Sequence, residues 1–367
     1  MSDINTRFAR MLHARSKPAQ GETLQPVIVP ASVYHQAGDP SGPYQYGRWS
    51  NPTWTALEEA LGHLEDAETI IFPAGLAAVA SVFYPLLQPG DKVLLHADGY
   101  GATRGLAETY LKPLGITFDL AATGMVGDHD FAGYRMIFIE TPSNPGLDIC
   151  DIAAIAAKAK AAGALLVADN TTMTPLGQRP LDLGADITLA SDTKALNGHS
   201  DVLFGHVATR DAALAARMRD WRKMVGIIPS PFDAFLVHRG LETLELRFTR
   251  MCDNAEKLAP RLSAHPRLKR VVYPGLPSHP AHNLAARQMT RFGSLIAVTF
   301  ADASEAERFM GHCPLIRQAT SFGGLHTSAE RRSRWGDKVA DGFVRLSVGC
   351  EPVEPLWQAM SATLDII

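Results

Sequence analysis

Short runs of apolar and β-branched residues recur through the first half of the chain and alternate with alanine-rich stretches of helical period. Runs of four or five such residues are typical of strands that are buried on both faces. The predicted strands cover residues 69–72, 93–96, 136–140, 164–168 and 186–190. The clearest helical pattern covers residues 152–162, and a last run at 202–208 is expected to cross the sheet or to form its edge. This alternation predicts βαβ units and an α/β fold with a mostly parallel sheet.

The last third of the chain follows a different pattern, in which one long helix precedes separated strands. The helical pattern covers residues 234–259. The strands are predicted around Val271 and over residues 295–300 and 344–348. Strands and helices that do not alternate regularly indicate a smaller α+β domain. We therefore predict a large domain over residues 54–233 and a small C-terminal domain over residues 234–367.

The first fifty residues have no sustained helical or strand period. Prolines interrupt this segment at positions 26, 30, 40 and 43. We expect residues 1–53 to form an extended arm. An irregular segment of this length is uncommon unless it packs on another surface, and we expect that surface to be a second subunit.

The composition favours an enzyme that acts on small molecules. The chain is 46% hydrophobic and 20% charged, and its formal net charge of −3 provides no electrostatic reason to bind nucleic acid or an anionic membrane. The apolar stretch at residues 72–87 contains prolines and a glycine, which favours a buried helix over a membrane span.

The cysteines indicate a reducing compartment. Cys150, Cys252, Cys313 and Cys350 lie far apart, with no C-x-x-C pair. Residues 1–16 are polar and show no apolar signal core. We therefore expect free thiols and a cytoplasmic protein.

Residues that could bind a ligand or act in catalysis follow each predicted strand in the first half of the chain. In open α/β sheets, ligands bind outside the carboxyl ends of the strands, so these residues are expected to share one site. In chain order they are Gly75, Leu76, Tyr100, Asn144, Asp169, Ser191, Thr193 and Lys194. Gly75 and Leu76 begin a helix whose free N–H groups suit a phosphate.

These residues match the requirements of pyridoxal 5'-phosphate (PLP). PLP needs a lysine for a Schiff base, an acid against its pyridine nitrogen, donors for its phosphate and a surface for its ring. Lys194, Asp169 and Tyr100 supply the amine, the acid and the ring surface. Each residue alone is ambiguous, because a strand-end aspartate is often a helix cap and a lone lysine is usually solvated. Their placement at neighbouring strand ends supports the PLP interpretation.

An ordered set of motifs resembles the Cys/Met-metabolism PLP enzymes. The motifs are Y-G-R-W-S-N-P-T at 46–53, A-G-L-A-A at 74–78, E-T-P-S-N-P at 140–145, D-N-T at 169–171, S-D-T-K at 191–194, G-H-S-D at 198–201, R-G-L-E-T-L at 239–244, S-F-G-G at 321–324 and R-L-S-V-G at 345–349. The family includes cystathionine γ-lyase, cystathionine β-lyase, cystathionine γ-synthase and methionine γ-lyase. The resemblance implies the PLP-dependent transferase fold of type I, similar to aspartate aminotransferase.

The resemblance also implies a role for each matching residue. Lys194 would form the Schiff base with PLP and then transfer protons. Tyr100 would stack on the PLP ring and act together with Lys194 in catalysis. The residues that would bind the cofactor are Tyr46, Arg48, Gly75, Leu76, Tyr100, Asn144, Asp169, Ser191, Thr193 and Lys194. Those that would bind the substrate carboxylate are Asn144, Ser321 and Arg345. Tyr46 and Arg48 would reach the site of a partner subunit, which implies a homodimer and, as is usual in the family, a homotetramer.

Among the family, the sequence most resembles a bacterial branch called cystathionine γ-lyase. That activity converts cystathionine, a sulfur amino acid, to cysteine, 2-oxobutanoate and ammonia. Better-known γ-enzymes carry an acid at the positions of Gln45 and Thr320, and methionine γ-lyases carry a cysteine at the position of Ala102. The alternatives are therefore cystathionine β-lyase, methionine γ-lyase and cystathionine γ-synthase. Three charged residues at 330–332 are candidates for reshaping the distal pocket.

The sequence lacks the additional motifs that other classes of protein would require. Ser191 and Lys194 have the S-x-x-K spacing of a serine acyl-enzyme, but no K-T-G follows. A phosphate-binding NTPase requires G-K-[ST], which is absent. His199 and Asp201 are interpreted as structural, and no metal site is expected. A PLP-fold binding protein without catalysis is disfavoured because the lysine, the acid and the ring are all present.

Overall fold

The structure is a computed structural model that describes residues 3–14 and 18–367. Its helices are α1 (Ile4–Leu12), α2 (Pro52–Glu65), α3 (Gly75–Leu86), α4 (Gly101–Leu106), α5 (Ile152–Ala162), α6 (Thr174–Gly177), α7 (Ala212–Val225), α8 (Pro231–Leu241), α9 (Leu244–Ser263), α10 (His282–Gln288), α11 (Ala303–His312) and α12 (Val353–Ile366). Its strands are β1 (Glu68–Phe72), β2 (Lys92–His96), β3 (Thr117–Ala121), β4 (Met136–Glu140), β5 (Leu165–Asp169), β6 (Ile187–Ala190), β7 (Gly205–Thr209), β8 (Arg270–Val272), β9 (Leu295–Thr299), β10 (Arg317–Gln318), β11 (Ser328–Arg331) and β12 (Phe343–Ser347).

The larger sheet of the described residues has seven strands in the order β1-β7-β6-β5-β4-β2-β3. All its strands are parallel except β7, which pairs antiparallel with β1 and β6. This run was expected to cross the sheet or to form its edge, whereas β7 lies inside the sheet, between β1 and β6. The segment 191–204 contains no helix, so the chain turns back at the carboxyl edge of β6 and re-enters in the opposite direction.

Both faces of this sheet are buried. Val93 and Leu95 of β2 pack in one apolar cluster with residues of α3 and α7, while Leu94 between them packs in a second cluster with residues of α5. Helices on both faces leave the strand ends as the accessible part of the sheet. No helix within residues 3–14 and 18–367 combines the length and apolar character that crossing a membrane requires.

The second sheet belongs to the C-terminal α+β region and has the order β10-β11-β12-β9-β8. Only the β10–β11 pair is parallel. The predicted helix over 234–259 is wrong in one respect, because two helices, α8 and α9, are separated at Glu242 and Thr243. The guanidinium of Arg247 donates hydrogen bonds to carbonyls of Gly240 and Ala195, at 2.6 and 2.8 Å. Arg247 thereby links the end of α8 to the turn that carries Lys194, at the point where the two helices meet.

The predicted arm begins with a helix that the sequence analysis missed. Asp3 caps α1 by accepting hydrogen bonds from the N–H groups of Asn5 and Thr6. Met11 and, less expectedly, Arg7 face the protein and are buried, and Arg7 pairs with Asp182 at 3.0 Å. Because a charged residue, Arg7, occupies a buried position, the buried face of α1 is not uniformly apolar. Residues 1, 2 and 15–17 of the predicted arm lie outside the described residues, and α2 begins at Pro52, just before the predicted boundary at 53.

Candidate active site

A cavity of about 890 Å³ opens at the carboxyl ends of the parallel strands of the large sheet. Residues of β11 and β12, and of the segments that connect β10 to β11 and β11 to β12, line the opposite side. Ten of the twelve predicted site residues line this cavity: Gly75, Leu76, Tyr100, Asn144, Asp169, Ser191, Thr193, Lys194, Ser321 and Arg345. The fold therefore brings together residues that are spread over more than two hundred positions of the sequence.

Lys194 lies in the turn after β6 and points into the cavity. Its amine donates a hydrogen bond of 2.8 Å to the hydroxyl oxygen of Ser321, and it lies 5.1 Å from the centre of the Phe322 ring. Burial, together with the nearby positive charge of Arg345, lowers the pKa of Lys194 to about 8, while Glu330 acts in the opposite direction. About a tenth of the amine is therefore uncharged at pH 7, far more than for an ordinary lysine, and this fraction can act as a nucleophile or a base.

Asp169 ends β5 at the floor of the cavity. Its Oδ1 accepts hydrogen bonds from the N–H and the hydroxyl of Thr171, at 2.9 and 2.5 Å. Burial raises the pKa of Asp169 above its ordinary value despite these hydrogen bonds. The carboxylate is held in one orientation by Thr171 and is buried, so that a cationic partner in the cavity would stabilise its ionised form.

Tyr100 begins α4 at the mouth of the cavity, with its ring partly exposed. Its N–H donates a hydrogen bond of 2.6 Å to Oε2 of Glu140, at the end of β4. The preceding residue must be glycine, because a Cβ at Gly99 would lie 2.6 Å from the same carboxylate oxygen. Burial and the neighbouring Asp169 raise the pKa of Glu140 well above its usual range. The strand-end acid therefore fixes the backbone that carries the tyrosine.

The N-terminus of α3 faces the turn that carries the lysine. A Cβ at Gly75 would lie 2.6 Å from the Cβ of Ser191, so only glycine allows the two segments to approach this closely. The free N–H groups of α3 and the Ser191 side chain together suit an anion. The hydroxyl of Thr193 is already engaged, because it donates to the carbonyl of Phe204 at 3.1 Å and accepts from its N–H at 2.9 Å.

Arg345 on β12 is the buried cation of the cavity. It donates hydrogen bonds to the side-chain oxygen of Asn144, to the carbonyl of Thr320 at 3.2 Å and to Oε2 of Glu330 at 2.9 Å. Burial and the neighbouring Arg332 lower the pKa of Arg345 to about 10, which leaves the group charged at neutral pH. The planar guanidinium, with Ser321 nearby in the same wall, is suited to binding a carboxylate.

Tyr46 and Arg48 are the two predicted site residues that do not line the cavity of their own chain. Arg48 donates a hydrogen bond of 2.5 Å to the carbonyl of Lys223 near the end of α7, and its guanidinium lies 5.4 Å from the centre of the Tyr46 ring. Tyr46 is 40% exposed. The pair therefore lies on the surface of the described chain.

His199 and Asp201 each contact Asn197. The Nδ1 atom of His199 lies 2.7 Å from the Asn197 carbonyl oxygen, and Asp201 accepts a hydrogen bond of 2.7 Å from the Asn197 side chain. Within residues 3–14 and 18–367, no cluster of His, Cys, Asp or Glu has the arrangement of a metal site.

Some neighbours of the predicted site residues were given no role from the sequence, and the charged residues at 330–332 were only candidates for reshaping the distal pocket. Glu140 and Thr171 lie inside the quoted motifs and could have been found from their position at the strand ends. Phe322 contacts both Lys194 and Arg345 and lies in the S-F-G-G motif. Glu330 and Arg332 line the cavity, whereas Arg331 between them faces away and pairs with Glu307 at 2.7 Å.

The residues of the cavity fit PLP. They provide a lysine amine of lowered pKa, a buried carboxylate at a neighbouring strand end, a helix N-terminus with a serine beside it, and a tyrosine ring. These are the groups that a pyridine ring, its aldehyde and a phosphate require. The fold and the site define a PLP-dependent enzyme of fold type I.

Comparison with known proteins identifies the family. The sequence pattern of the family described as "Cys/Met metabolism PLP-dependent enzyme" matches residues 9–365. A Streptomyces coelicolor protein named "Putative cystathionine gamma-lyase" is 47% identical over 95% of this chain and 91% of its own. The cystathionine beta-lyase of Coxiella burnetii is 39% identical over 99% of this chain and 98% of its own. The chain belongs to the Cys/Met metabolism PLP-dependent enzyme family, and PLP is its cofactor.

A solved structure supports the same assignment. The cystathionine gamma synthase of Xanthomonas oryzae pv. oryzae, crystallised with cystathionine, has a TM-score of 0.94 to this chain at 34% identity and covers 98% of each chain. These three similar proteins bear the names of three different activities. Family membership therefore leaves the reaction of this chain to be argued separately.

Proposed function

We propose that this chain is a PLP-dependent carbon–sulfur lyase that cleaves cystathionine by γ-elimination to cysteine, 2-oxobutanoate and ammonia. The observation that carries the proposal is that an amine with a pKa of about 8 and a buried carboxylate-binding arginine face one cavity. The 47% identity to a protein named as a cystathionine gamma-lyase favours γ-cleavage over the other reactions of the family.

PLP, when bound, withdraws electrons from the α-carbon of an amino acid. Arg345, Asn144 and Ser321 would bind and orient the α-carboxylate of the substrate. Lys194 would then remove the α-proton, and its lowered pKa suits that role because the free amine is available near neutral pH. Asp169 would keep the pyridine nitrogen protonated.

A β-proton must leave as well, so that its electron pair forms a double bond between the β- and γ-carbons as the bond between the γ-carbon and sulfur breaks. The sulfur leaves as the thiol of cysteine after taking up a proton, and Tyr100 or Lys194 would donate that proton. Water then releases the four-carbon fragment as 2-oxobutanoate and ammonia. Tyr100 suits this role because its ring lines the mouth of the cavity while Glu140 fixes its backbone.

The alternatives within the family give different products. Cystathionine β-lyase would form homocysteine, pyruvate and ammonia. Methionine γ-lyase would release methanethiol, and cystathionine γ-synthase would join cysteine to an activated homoserine. Identification of the products from cystathionine and methionine, with purified holoenzyme, tests the proposal. Cysteine with 2-oxobutanoate supports it, and homocysteine with pyruvate would replace it by the β-lyase reaction.

We also propose that the active site is shared between two subunits of a homodimer, within a homotetramer. Tyr46 and Arg48 lie on the surface of their own chain, away from its cavity, so their family role is available only toward a neighbour. A cytoplasmic location is proposed as well, because Cys150, Cys252, Cys313 and Cys350 are free thiols.

A further inference from the structure

The cavity contains a second arginine that binding of one α-carboxylate does not require. Arg332 lines the cavity just after β11, and its Nη1 lies 2.7 Å from Oε2 of Glu330. The same oxygen accepts the hydrogen bond of 2.9 Å from Arg345. The two guanidinium groups are therefore separated by a single carboxylate oxygen.

Charges of alternating sign continue beyond Arg332. Its Nε donates a hydrogen bond of 2.7 Å to Oδ2 of Asp337, which also lines the cavity. The row therefore consists of Asp337, Arg332, Glu330 and Arg345. Buried ion pairs contribute little net stability compared with apolar residues, because desolvation opposes the attraction. A purely structural role is thus a weak explanation for two further charged pairs in the wall of a ligand cavity.

One atom of this row has no hydrogen-bond partner. Glu330 is 1% exposed, and its Oε1 makes no hydrogen bond to any described residue. Buried polar atoms are nearly always satisfied, so an unpaired carboxylate oxygen at a cavity calls for a donor that comes from outside the chain. An ammonium group is a suitable donor for a carboxylate.

The Arg332 side chain supplies the complementary function. It is 14% accessible, its Nε and Nη2 atoms lie 2.7 Å from Asp337 and its Nη1 contacts Glu330, so one N–H group on each Nη atom is left for a further carboxylate. A guanidinium beside an unsatisfied carboxylate oxygen matches the two charges of an amino-acid head group. We propose that Arg332, Glu330 and Asp337 form a subsite for the zwitterionic amino-acid group at the far end of the substrate. This subsite selects thioethers that carry two amino-acid groups, such as cystathionine, over simple thioethers such as methionine.

The inference rests on the proposed function, and the chain offers a matched control. Arg331 is adjacent to Arg332 and similarly buried, but it faces away from the cavity and pairs with Glu307. Arg332→Met removes the charge and keeps the length of the side chain. Arg331→Met makes the same change outside the cavity, and Arg332→Lys retains a cation.

Steady-state kinetics with L-cystathionine and L-methionine test the subsite. We expect Arg332→Met to lower kcat/KM for cystathionine by about ten- to a hundredfold, the effect of losing a charged hydrogen bond, and to change that for methionine by less than about threefold. Arg332→Lys should lose less than Arg332→Met, and Arg331→Met should match the wild type. Equal losses for both substrates would overturn the inference, because Arg332 would then act only through Glu330 on Arg345. An Arg332→Met ratio of the two kcat/KM values equal to that of the wild type would overturn it as well.

Binding gives a readout that does not depend on turnover. The change in cofactor absorbance on rapid mixing of holoenzyme with each amino acid yields its apparent Kd. Arg332→Met should weaken cystathionine binding selectively. If wild-type enzyme binds cystathionine but forms other products, the proposed function is wrong and the subsite stands. If Arg332→Met leaves the binding ratio of cystathionine to methionine unchanged, the subsite is wrong whatever the products.

Discussion

The amine of Lys194 and the hydroxyl of Ser321 are joined by a hydrogen bond of 2.8 Å, although 127 positions of sequence separate them. The contact joins the turn after β6 to the segment that precedes β11. Lys194 thus lies between the strand ends of the large sheet on one side and the cavity wall that holds Ser321 and Arg345 on the other.

Replacement of this lysine tests the site directly. Lys194→Ala should abolish turnover, by at least about a thousandfold, and remove the absorbance band that borohydride fixes, because no other amine lies in the described cavity. Lys160→Ala, an exposed change on α5, should leave both unchanged. A borohydride-reducible band that persists in Lys194→Ala would place the cofactor on another lysine.

The pKa of Lys194 predicts how cofactor binding depends on pH. The uncharged amine attacks the aldehyde of PLP, so the rate at which PLP binds to the apoenzyme should rise with pH. The midpoint of this rise should lie near pH 8, the pKa of Lys194. Arg345→Met removes a positive charge that lowers this pKa, so its midpoint should move upward. Stopped-flow absorbance across the pH range measures both midpoints. A wild-type midpoint near the ordinary value of 10.5 would contradict the geometry.

Asp169 should supply charge rather than shape. An asparagine can still accept both hydrogen bonds from Thr171, so Asp169→Asn preserves the local structure and removes only the negative charge. We expect kcat to fall by roughly a hundredfold or more while some cofactor is retained. Asp151→Asn, at the cap of α5, is the control because asparagine caps a helix equally well. Unchanged turnover in Asp169→Asn would exclude this residue from the site.

The shared active site can be tested by complementation. Arg48→Ala and Lys194→Ala should each be inactive, and mixing them under conditions of subunit exchange should restore activity. A hybrid dimer has one site with both defects and one with neither, so it should recover about half the wild-type activity. If exchange is verified by a mass label and no activity returns, Arg48 acts within its own chain.

A buried histidine next to the lysine turn predicts a pH dependence of stability. The Nδ1 of His206 lies 2.6 Å from Asp192, and its Nε2 lies 3.3 Å from Glu65. Burial alone would lower the pKa of His206, but the two carboxylates outweigh it and raise the pKa to about 10. The folded state therefore holds this proton more tightly than the unfolded state, and the stabilisation is lost as pH rises from about 6.5 toward 10.

Urea unfolding at several pH values measures this effect. Between about pH 6.5 and 8, His206 should make the free energy of unfolding fall by up to about 1.4 kcal/mol per pH unit. His206→Gln should remove that part of the slope and lower stability at pH 6.5 by roughly 3–5 kcal/mol, because it leaves buried carboxylates without a cation. Equal slopes in wild type and variant would show that His206 is neutral in the folded protein.

Local pattern was sufficient to predict most of the large sheet. Fully buried parallel strands are continuous apolar runs, so β4 was predicted to the residue and β5 within one residue. The direction of β7 was not predictable, because it depends on pairing with β1 and β6 and not on the residues of β7 alone. The break between α8 and α9 was likewise not predicted from the local pattern, and the Arg247 side chain contacts the Gly240 carbonyl beside it.

The same distinction holds for the candidate site. Residues at strand ends could be placed together because parallel strands point their carboxyl ends at one edge. Glu330 and Arg332 were candidates from the sequence, but their position in the cavity could not be predicted. That position depends on the antiparallel pairing of β11 with β12, in which Glu330 lies opposite Arg345. The tertiary structure determines where these two side chains lie, and no local periodicity in the sequence indicates it.

The reversed direction of β7 limits how the chain can be cut or extended. Because β7 runs against its neighbours, the segment 191–204 leaves the sheet and returns to it at the same edge, where Gly205 lies against Gly75. A new terminus in this segment would detach the lysine from one of its two fixed ends, and an insertion would separate those ends. Circular permutation within the segment should therefore fail.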